Sequence, residues 1–335
     1  MTCYAGCTDV HTHVVPHDFP RYAGSGIDIP WPAMAAQDAC HRHVLISGKH
    51  YRTVSDGAWS TSRRLADMQD LRVERQVLSP MPELLSYWLP AIDAQSLIRY
   101  INDEIAGMVA SAPDRFLALG GVPLQDLDLA LQELEYVTDT LGFAGVELAS
   151  HVNGVSIGDR RFEPFFAEAA RRGASVFVHA LRPSGKERVV GAFPEQAVCF
   201  PGDIALAATS LITSGMASRH PQLRIAFSHG GGGLAMLLPR LVQAWHQIPK
   251  ARDSLWESPE TIARRFFYDA LVFSPVAVRF LLDTFGQSQI LLGSDYPFGM
   301  GDKDPVTHLE AVGLDDTTLQ AILHHNPRRF LGLDI

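Results

Sequence analysis

Short runs of apolar and β-branched residues alternate along the chain with longer segments whose apolar residues recur at helical spacing. The short runs predict buried strands, and the longer segments predict amphipathic helices. Strands are predicted at 8–16, 75–79, 116–122, 145–149, 175–179, 224–229, 266–269 and 289–295. Helices are predicted at 63–71, 93–112, 127–141, 162–172, 203–219, 234–245, 275–285 and 315–324.

This alternation of strands and helices is typical of parallel βαβ units. Eight such units in 335 residues predict an α/β fold, a single (β/α)8 TIM barrel that spans residues 1–335. A doubly wound open sheet is the alternative. That fold should carry a glycine-rich phosphate-binding turn near its first strand, and the sequence has none there.

One long segment, residues 17–60, interrupts the alternation directly after the first strand. It is rich in proline, glycine and polar residues, and within it residues 43–54 predict a small hairpin with its turn at Gly48-Lys49. Long loops in compact domains are usually functional or disordered. We therefore expect 17–60 to be an inserted substrate loop or hairpin subdomain.

Composition excludes several classes of function. The chain is 47% hydrophobic and 19% charged, as soluble globular proteins are. A formal net charge of −9 and the lack of basic runs argue against nucleic acid or an anionic membrane as a partner. No apolar run approaches the ~18 residues of a membrane-spanning helix, and no secretion signal is seen. Four irregularly spaced cysteines suggest thiols in a reducing, cytoplasmic location.

Polar residues that can bind a metal fall at the carboxyl ends of the predicted strands. His11 and His13 lie two residues apart on one strand, so their imidazoles share a face. Alone, such a pair is as often two ordinary histidines as a metal site. His179, His229 and Asp295 end three other strands, and in a barrel this face holds the active site. Together the five predict a catalytic metal site.

Six segments along the whole chain carry a resemblance to a known family. They are DVHTH at 9–13, GKHYR at 48–52, VPLQDLDLA at 122–130, SHGGG at 228–232, GSDYPF at 293–298 and NPRRFLG at 326–332. With this order of histidines and aspartate, the chain resembles the metal-dependent amidohydrolase superfamily. Within it, the chain resembles the branch related to 2-amino-3-carboxymuconate-6-semialdehyde decarboxylase (ACMSD), which includes several aromatic-acid decarboxylases.

The resemblance implies a metal centre and a proton-transfer residue. His11, His13, His179 and Asp295 would bind one Zn²⁺, with Mn²⁺ possible, and no organic cofactor would be needed. His229 would be the general acid or base, with help from Asp295. A fifth metal ligand or a packing histidine is the alternative for His229. The family gives Asp9 no ligand role, so we expect a supporting role for it.

The resemblance also implies residues that bind the substrate. Arg52 and Arg240 match arginines that hold a carboxylate, and one of the two would reach across a dimer interface, which implies a homodimer. A solvated arginine on a helix face is the alternative for Arg240. Lys49, Trp59 and Phe298 are further candidates for the pocket wall.

One departure from the family pattern suggests a different substrate. After the histidine of the fifth strand, the semialdehyde decarboxylases carry Pro-Trp-Asp-Met, whereas this chain has Ala180, Leu181 and Arg182. We expect Arg182 to bind an additional anionic group of the substrate; a solvent-facing arginine is the alternative. The stretch 80–88 resembles a family loop and would wall the pocket; an ordinary loop that packs against the helices is the alternative.

The leading function is therefore zinc-dependent, non-oxidative decarboxylation of a small aromatic or unsaturated, muconate-like carboxylic acid by a carboxy-lyase. Hydrolysis or hydration of an amide, a lactone or an unsaturated dicarboxylate by the same site is the alternative, because the metal ligands alone do not separate the two. A non-catalytic barrel would require a broken ligand set, and the set is intact.

Overall fold

The computed structural model describes residues 6–333, and its central feature is a barrel of eight parallel strands. The strands are Thr8–Val14, Arg75–Pro80, Phe116–Gly120, Gly145–Ala149, Ser175–His179, Arg224–Phe227, Phe267–Asp269 and Ile290–Leu291. Each pairs in parallel with the next. A parallel bridge between Thr12 and Tyr296 joins the first strand to the chain after the eighth. The TIM barrel prediction is confirmed, and the open-sheet alternative is excluded.

Helices cover the outside of the barrel. The longer ones are Thr61–Asp70, Ala91–Ser111, Leu127–Glu135, Glu163–Arg172, Glu195–Thr213, Leu234–Gln247 and Pro275–Phe285. Short helices follow at Met216–Arg219, Pro249–Asp253, Pro259–Ala263, Pro305–Glu310, Asp316–Gln320 and Asn326–Leu331. Several begin where the sequence offers a cap: the side chain of Ser274, for example, accepts a hydrogen bond from the amide of Ala277.

One helix boundary differs clearly from the prediction. The helix predicted to begin at residue 203 starts earlier, at Glu195, and it continues through Pro201. It ends at Thr213, and Gly215 with φ 73° separates it from the next short helix. Left-handed φ values favour glycine, which has no Cβ to clash. The predicted continuous helix is therefore two helices.

The insertion after the first barrel strand is a three-stranded antiparallel sheet of Pro32–Ala36, His41–Ile46 and Lys49–Ser55. The hairpin is present, but its turn lies at Ser47-Gly48, where both residues have positive φ, and not at Gly48-Lys49. Such a turn matches the twist of paired strands. The first strand was not predicted, because its sequence PAMAA has no clear alternation.

The fully buried Arg64 supports the first barrel strand from the helix beside it. Its guanidinium donates hydrogen bonds to the carbonyl oxygen of His13 at 2.6 Å and to Thr12 Oγ1 and Gln76 Oε1 at 3.1 Å each. Buried polar groups of the first two strands are thus satisfied by one side chain. The strand that carries the candidate metal ligands is fixed in position by these bonds.

The helix Glu195–Thr213 is long and apolar enough to cross a membrane by length and composition alone. Half of its most apolar window is buried inside the fold. A core helix of a soluble protein passes the same test, so this helix is only weak evidence for a membrane span.

Candidate active site

Four predicted ligands meet at the carboxyl end of the barrel. The ligand atoms of His11, His13, His179 and Asp295 all lie within 4.8 Å of one another. The Nε2 atoms of His11 and His13 are 3.1 Å apart, and Asp295 Oδ1 is 3.0 Å from the second of them. Among residues 6–333, His179 Nε2 is buried without any hydrogen-bond partner, and Asp295 Oδ1 lies only beside the Nε2 atoms of His13 and His11, at 3.0 and 3.4 Å. Buried polar atoms without partners call for an explanation. Three imidazole nitrogens and one carboxylate oxygen form a ligand set that fits a divalent metal ion.

The orientation of each imidazole is set by its other nitrogen. The Nδ1 atoms lie near oxygen acceptors: His11 at 2.6 Å from Asp269 Oδ2, His13 at 3.2 Å from the Pro80 carbonyl oxygen and His179 at 2.8 Å from the Ala180 carbonyl oxygen. A proton on Nδ1 satisfies each contact and leaves the Nε2 lone pair facing the centre of the cluster. Hydrogen bonds of this kind orient ligands and raise their basicity.

Asp269 is a functional residue that the sequence reasoning missed. It ends the seventh barrel strand, and besides His11 it accepts a hydrogen bond from the amide of Gly230 at 2.9 Å. Burial opposes its charged form, but the hydrogen bond and charge of His11 outweigh burial and hold the pKa of Asp269 below its usual value. An aspartate at the end of a predicted barrel strand was the available signal.

Glu147 is a second buried acid that the sequence reasoning missed. It lies inside the barrel on the fourth strand, accepts a hydrogen bond from Ser79 Oγ, and is 3.7 Å from His13 Nδ1. Burial raises the pKa of Glu147 to about 8. The signal was a single acid within the apolar strand GVELA. A buried carboxyl group whose neutral form is favoured therefore lies beside His13.

Asp9 has the supporting contacts expected of it. Its Oδ1 accepts hydrogen bonds from the amides of His11 and Ser294, each at 3.1 Å, and its Oδ2 accepts one from the Ser294 hydroxyl. Burial raises the pKa of Asp9 to about 7. The side chain therefore ties the first strand to the loop that carries Asp295, and it does not join the ligand cluster.

His229 lies beside the ligand cluster but outside it. Its ring centroid is 5.1 Å from that of His179 and 5.5 Å from that of His11. Its backbone has a left-handed φ of 54°, and its buried Nε2 has no partner in the described chain. Burial lowers the pKa of His229, so the neutral imidazole is favoured. It lies on the wall of a cavity of about 400 Å³ that also contacts Asp295.

A larger cavity of about 660 Å³ opens onto His179 and Asp295 from the side of the inserted sheet. Arg52 and Phe298 lie on its wall, with the Arg52 guanidinium 4.3 Å above the Phe298 ring. The same ring stacks on His13 at a centroid distance of 5.1 Å. Within residues 6–333, no carboxylate pairs with Arg52. The cavity therefore joins the metal-ligand set to an available cation.

Three candidate substrate residues do not lie on this cavity. Lys49 and Trp59 do not line this cavity, and their predicted place on a pocket wall stays a prediction. Lys49 is exposed beside the hairpin turn, and Trp59 packs against the His17 ring at 5.6 Å. Arg240 is exposed on the outside of helix Leu234–Gln247, so it does not contact the cavity of its own chain.

Arg182 lies on the cavity wall, but its guanidinium already has an acidic partner. It donates to Glu83 Oε1 from Nε at 3.0 Å and also from Nη2, and it stacks 3.2 Å from the centre of the Trp88 ring. The expectation of a cation available for a substrate anion is therefore corrected. The sequence could not show this pair, because its members are 99 residues apart. Residues of the stretch 80–88 do line the cavity.

A metal-ligand set at the mouth of a TIM barrel defines a class of metal-dependent enzymes, and the comparisons with known proteins identify the family. The chain belongs to the amidohydrolase family, whose sequence model matches residues 8–333. It is 32% identical to 2-amino-3-carboxymuconate-6-semialdehyde decarboxylase from Dictyostelium discoideum, over 97% of this chain and 91% of that protein. The resemblance to this branch is thereby confirmed.

Two solved structures are similar to the whole barrel. 2,6-Dihydroxybenzoate decarboxylase complexed with 2,6-dihydroxybenzoate has a TM-score of 0.73 and 26% identity, and the match covers 81% of this chain and 88% of that one. The apo form of IDCase from Metarhizium anisopliae has a TM-score of 0.80 and 19% identity, with 98% and 97% covered. The second likeness shows the fold alone.

Proposed function

We propose that this chain is a metal-dependent, non-oxidative decarboxylase of a small aromatic or unsaturated, muconate-like carboxylic acid. One observation carries the proposal: the cluster of His11, His13, His179 and Asp295 borders a cavity whose wall carries Arg52, a cation that pairs with no carboxylate in the described residues 6–333. A guanidinium suits a carboxylate by its charge and its forked geometry. The relatives named as decarboxylases support the assignment.

The metal would be Zn²⁺, since three imidazoles and one carboxylate are ligands that zinc commonly takes, and Mn²⁺ is the alternative. When bound, the ion supplies a Lewis acid for a substrate oxygen next to the reacting carbon. The protein positions the substrate around it. Arg52 orients the carboxylate, and the Phe298 ring packs against the Arg52 guanidinium and helps to position it. No organic cofactor enters the proposal.

Loss of carbon dioxide leaves electron density on carbon, which must take up a proton. The neutral imidazole of His229 can accept a proton from a substrate hydroxyl and return it to that carbon. Asp295 borders both cavities and can assist this transfer. Charge that develops on the substrate is stabilised by the fixed groups around it.

We propose a homodimer because Arg240 lies on an apolar exposed surface. Val198 and Leu206 on one helix, and Met236 and Leu237 on the neighbouring one, are large apolar side chains exposed to solvent. Extended apolar patches commonly mark interfaces. A second copy would cover this surface and bring the partner's Arg240 towards the substrate. We further propose that the chain is a single barrel with 17–60 as its insertion, and that it works in the cytoplasm.

The proposal is tested with the purified, zinc-loaded protein and a panel of hydroxybenzoic and muconate-type acids, with carbon dioxide release as the readout. We expect release from at least one acid, and its loss together with metal loss in His11→Ala. His325→Ala, which changes an exposed histidine outside the ligand cluster, is the matched control and should retain activity. Products that keep every carboxylate would instead identify a hydrolase or hydratase.

A further inference from the structure

The wall of the 660 Å³ cavity carries three cationic side chains: Arg52, Arg182 and Lys186. Two of them are paired with carboxylates on the same wall. Arg182 pairs with Glu83, and Lys186 Nζ lies 3.1 Å from Glu195 Oε2. In the part of the chain that the structure describes, Arg52 is the one cavity cation without such a pair. The cavity therefore offers fewer charges to a substrate than its composition suggests.

The two ion pairs are built very differently. Glu83 is only 3% exposed; the Arg182 side chain is 43% exposed, but it binds Glu83 through two nitrogens and its guanidinium stacks on Trp88. The side chains of Lys186 and Glu195 are 58% and 30% exposed, and exposed pairs of this kind are weak. The Glu83–Arg182 pair is therefore a fixed part of the wall, whereas the other pair can open.

The backbone on both sides of the fixed pair is in a rare conformation. Arg182 has φ 46°, and Ser86, between Glu83 and Trp88, has φ 51°. Residues other than glycine enter this left-handed region only when the surrounding structure holds them there, and such residues cluster at functional sites. The His151 ring lies 3.2 Å from the carbonyl oxygen of Arg182 and helps to hold that backbone.

We propose that Glu83 is a specificity-determining residue that, by neutralising Arg182, makes the cavity selective for acids with one carboxylate and a neutral polar substituent. A substrate hydroxyl can hydrogen-bond to either member of the pair without disturbing their charges. A second carboxylate would compete with Glu83 for the guanidinium and would be repelled by it. This inference rests on the proposed function in taking the cavity as the substrate site, and among the acids proposed there it favours aromatic acids with one carboxylate over muconate-type diacids.

The test compares two probes that differ by one carboxylate, 2-hydroxybenzoate and 2-hydroxyisophthalate. Their dissociation constants are measured by calorimetry on the zinc-loaded protein, so the result does not depend on turnover. We expect the wild type to bind the monoacid at least about tenfold more tightly than the diacid, since unpaired or opposing charges in a partly buried site are costly.

Glu83→Gln keeps the shape of the side chain and removes its charge. The released Arg182 should then bind the added carboxylate, and the diacid should gain at least about tenfold in affinity relative to the monoacid. Glu195→Gln is the matched control on the same wall, where the exposed pair should change the ratio by less than about twofold. The double variant Glu83→Gln, Arg182→Met should lose the gain.

The inference is overturned if the wild type binds both probes equally well, or if Glu83→Gln leaves their affinity ratio unchanged while thermal melting shows a folded protein. If Glu83→Gln does not fold, the test uses the monoacid-to-diacid affinity ratio of the wild type and of Arg182→Met. Arg182→Met should weaken binding of the diacid at least as much as binding of the monoacid. Absence of carbon dioxide release from every acid would contradict the proposed function instead, and the binding ratio would still test the role of Glu83.

Discussion

Asp269→Asn tests the proposed geometry of the metal site most closely. It replaces one oxygen of the carboxylate that hydrogen-bonds to the ligand His11. Asp269 Oδ2 lies 2.6 Å from His11 Nδ1, and both side chains are fully buried. The aspartate accepts a hydrogen bond from Nδ1–H and leaves the Nε2 lone pair free to bind the metal. An asparagine can instead donate its amide to Nδ1, which favours the tautomer protonated on Nε2. That tautomer has no lone pair for the ion.

The expected loss of metal affinity follows from the role of carboxylates that hydrogen-bond to ligating histidines. Loss of a carboxylate behind a ligating histidine typically lowers metal affinity roughly 10- to 100-fold. This corresponds to about 1.4 to 2.7 kcal/mol of binding free energy. The side chains are nearly isosteric, so the barrel should keep its fold, and the thermal melting temperature of the metal-free protein should stay close to that of the wild type.

The assay is competition for Zn²⁺ between the protein and a chromophoric chelator at neutral pH. Asp283→Asn, an exposed aspartate on the helix after the seventh strand, is the matched control and should leave the affinity unchanged. An Asp269→Asn protein that binds zinc as tightly as the wild type would refute the assignment of the Nδ1–H tautomer and of the support that Asp269 gives.

Three further outcomes are expected. Arg52→Met should raise KM for the acid at least about tenfold with a smaller change in kcat, measured by steady-state kinetics, because a charge-assisted contact to the carboxylate is lost; an unchanged KM would contradict its role. Arg64→Met should lower the free energy of unfolding by about 3 kcal/mol in urea titration, because it leaves three buried acceptors unsatisfied. Burial raises the pKa of Glu147 from 4.5 to about 8. Between these pH values Glu147 stays protonated in the folded protein and ionises in the unfolded chain, so the free energy of unfolding falls as the pH rises from about 4.5 to 8. Glu147→Gln should therefore gain stability relative to the wild type over that interval, by up to about 5 kcal/mol in the metal-free protein at about 1.36 kcal/mol per pKa unit; a constant difference across this pH range would show that Glu147 is charged in the folded state.

Much of the barrel could be predicted because the two periodicities are local. A strand or a helix can be recognised within about ten residues from the spacing of its buried positions. The strand Pro32–Ala36 was missed because its small residues carry no alternation. The start at Glu195 was missed because Pro201 is a usual sign of a helix boundary, and here the helix continues through it.

The metal ligands could be predicted because the fold collects the carboxyl ends of all strands on one face. The residues behind them are harder to recognise: Asp269 and Glu147 look like ordinary acids until their neighbours are known. Arg182 and its partner Glu83 lie on two loops that are distant in sequence, so the charge on the cavity wall could not be predicted from the sequence. Whether Arg240 reaches a substrate depends on a second chain.

The central claim, a metal-dependent decarboxylase built on His11, His13, His179 and Asp295, is tested most directly by metal removal and return. The protein is stripped with a chelator, and the rate of carbon dioxide release from its best acid is followed as Zn²⁺ or Mn²⁺ is added back. We expect no release from the stripped protein and a linear recovery that saturates at one ion per chain. Full activity of the stripped protein would contradict the claim of metal dependence. Recovery of activity by the His11→Ala variant on addition of metal would contradict the assigned ligand set.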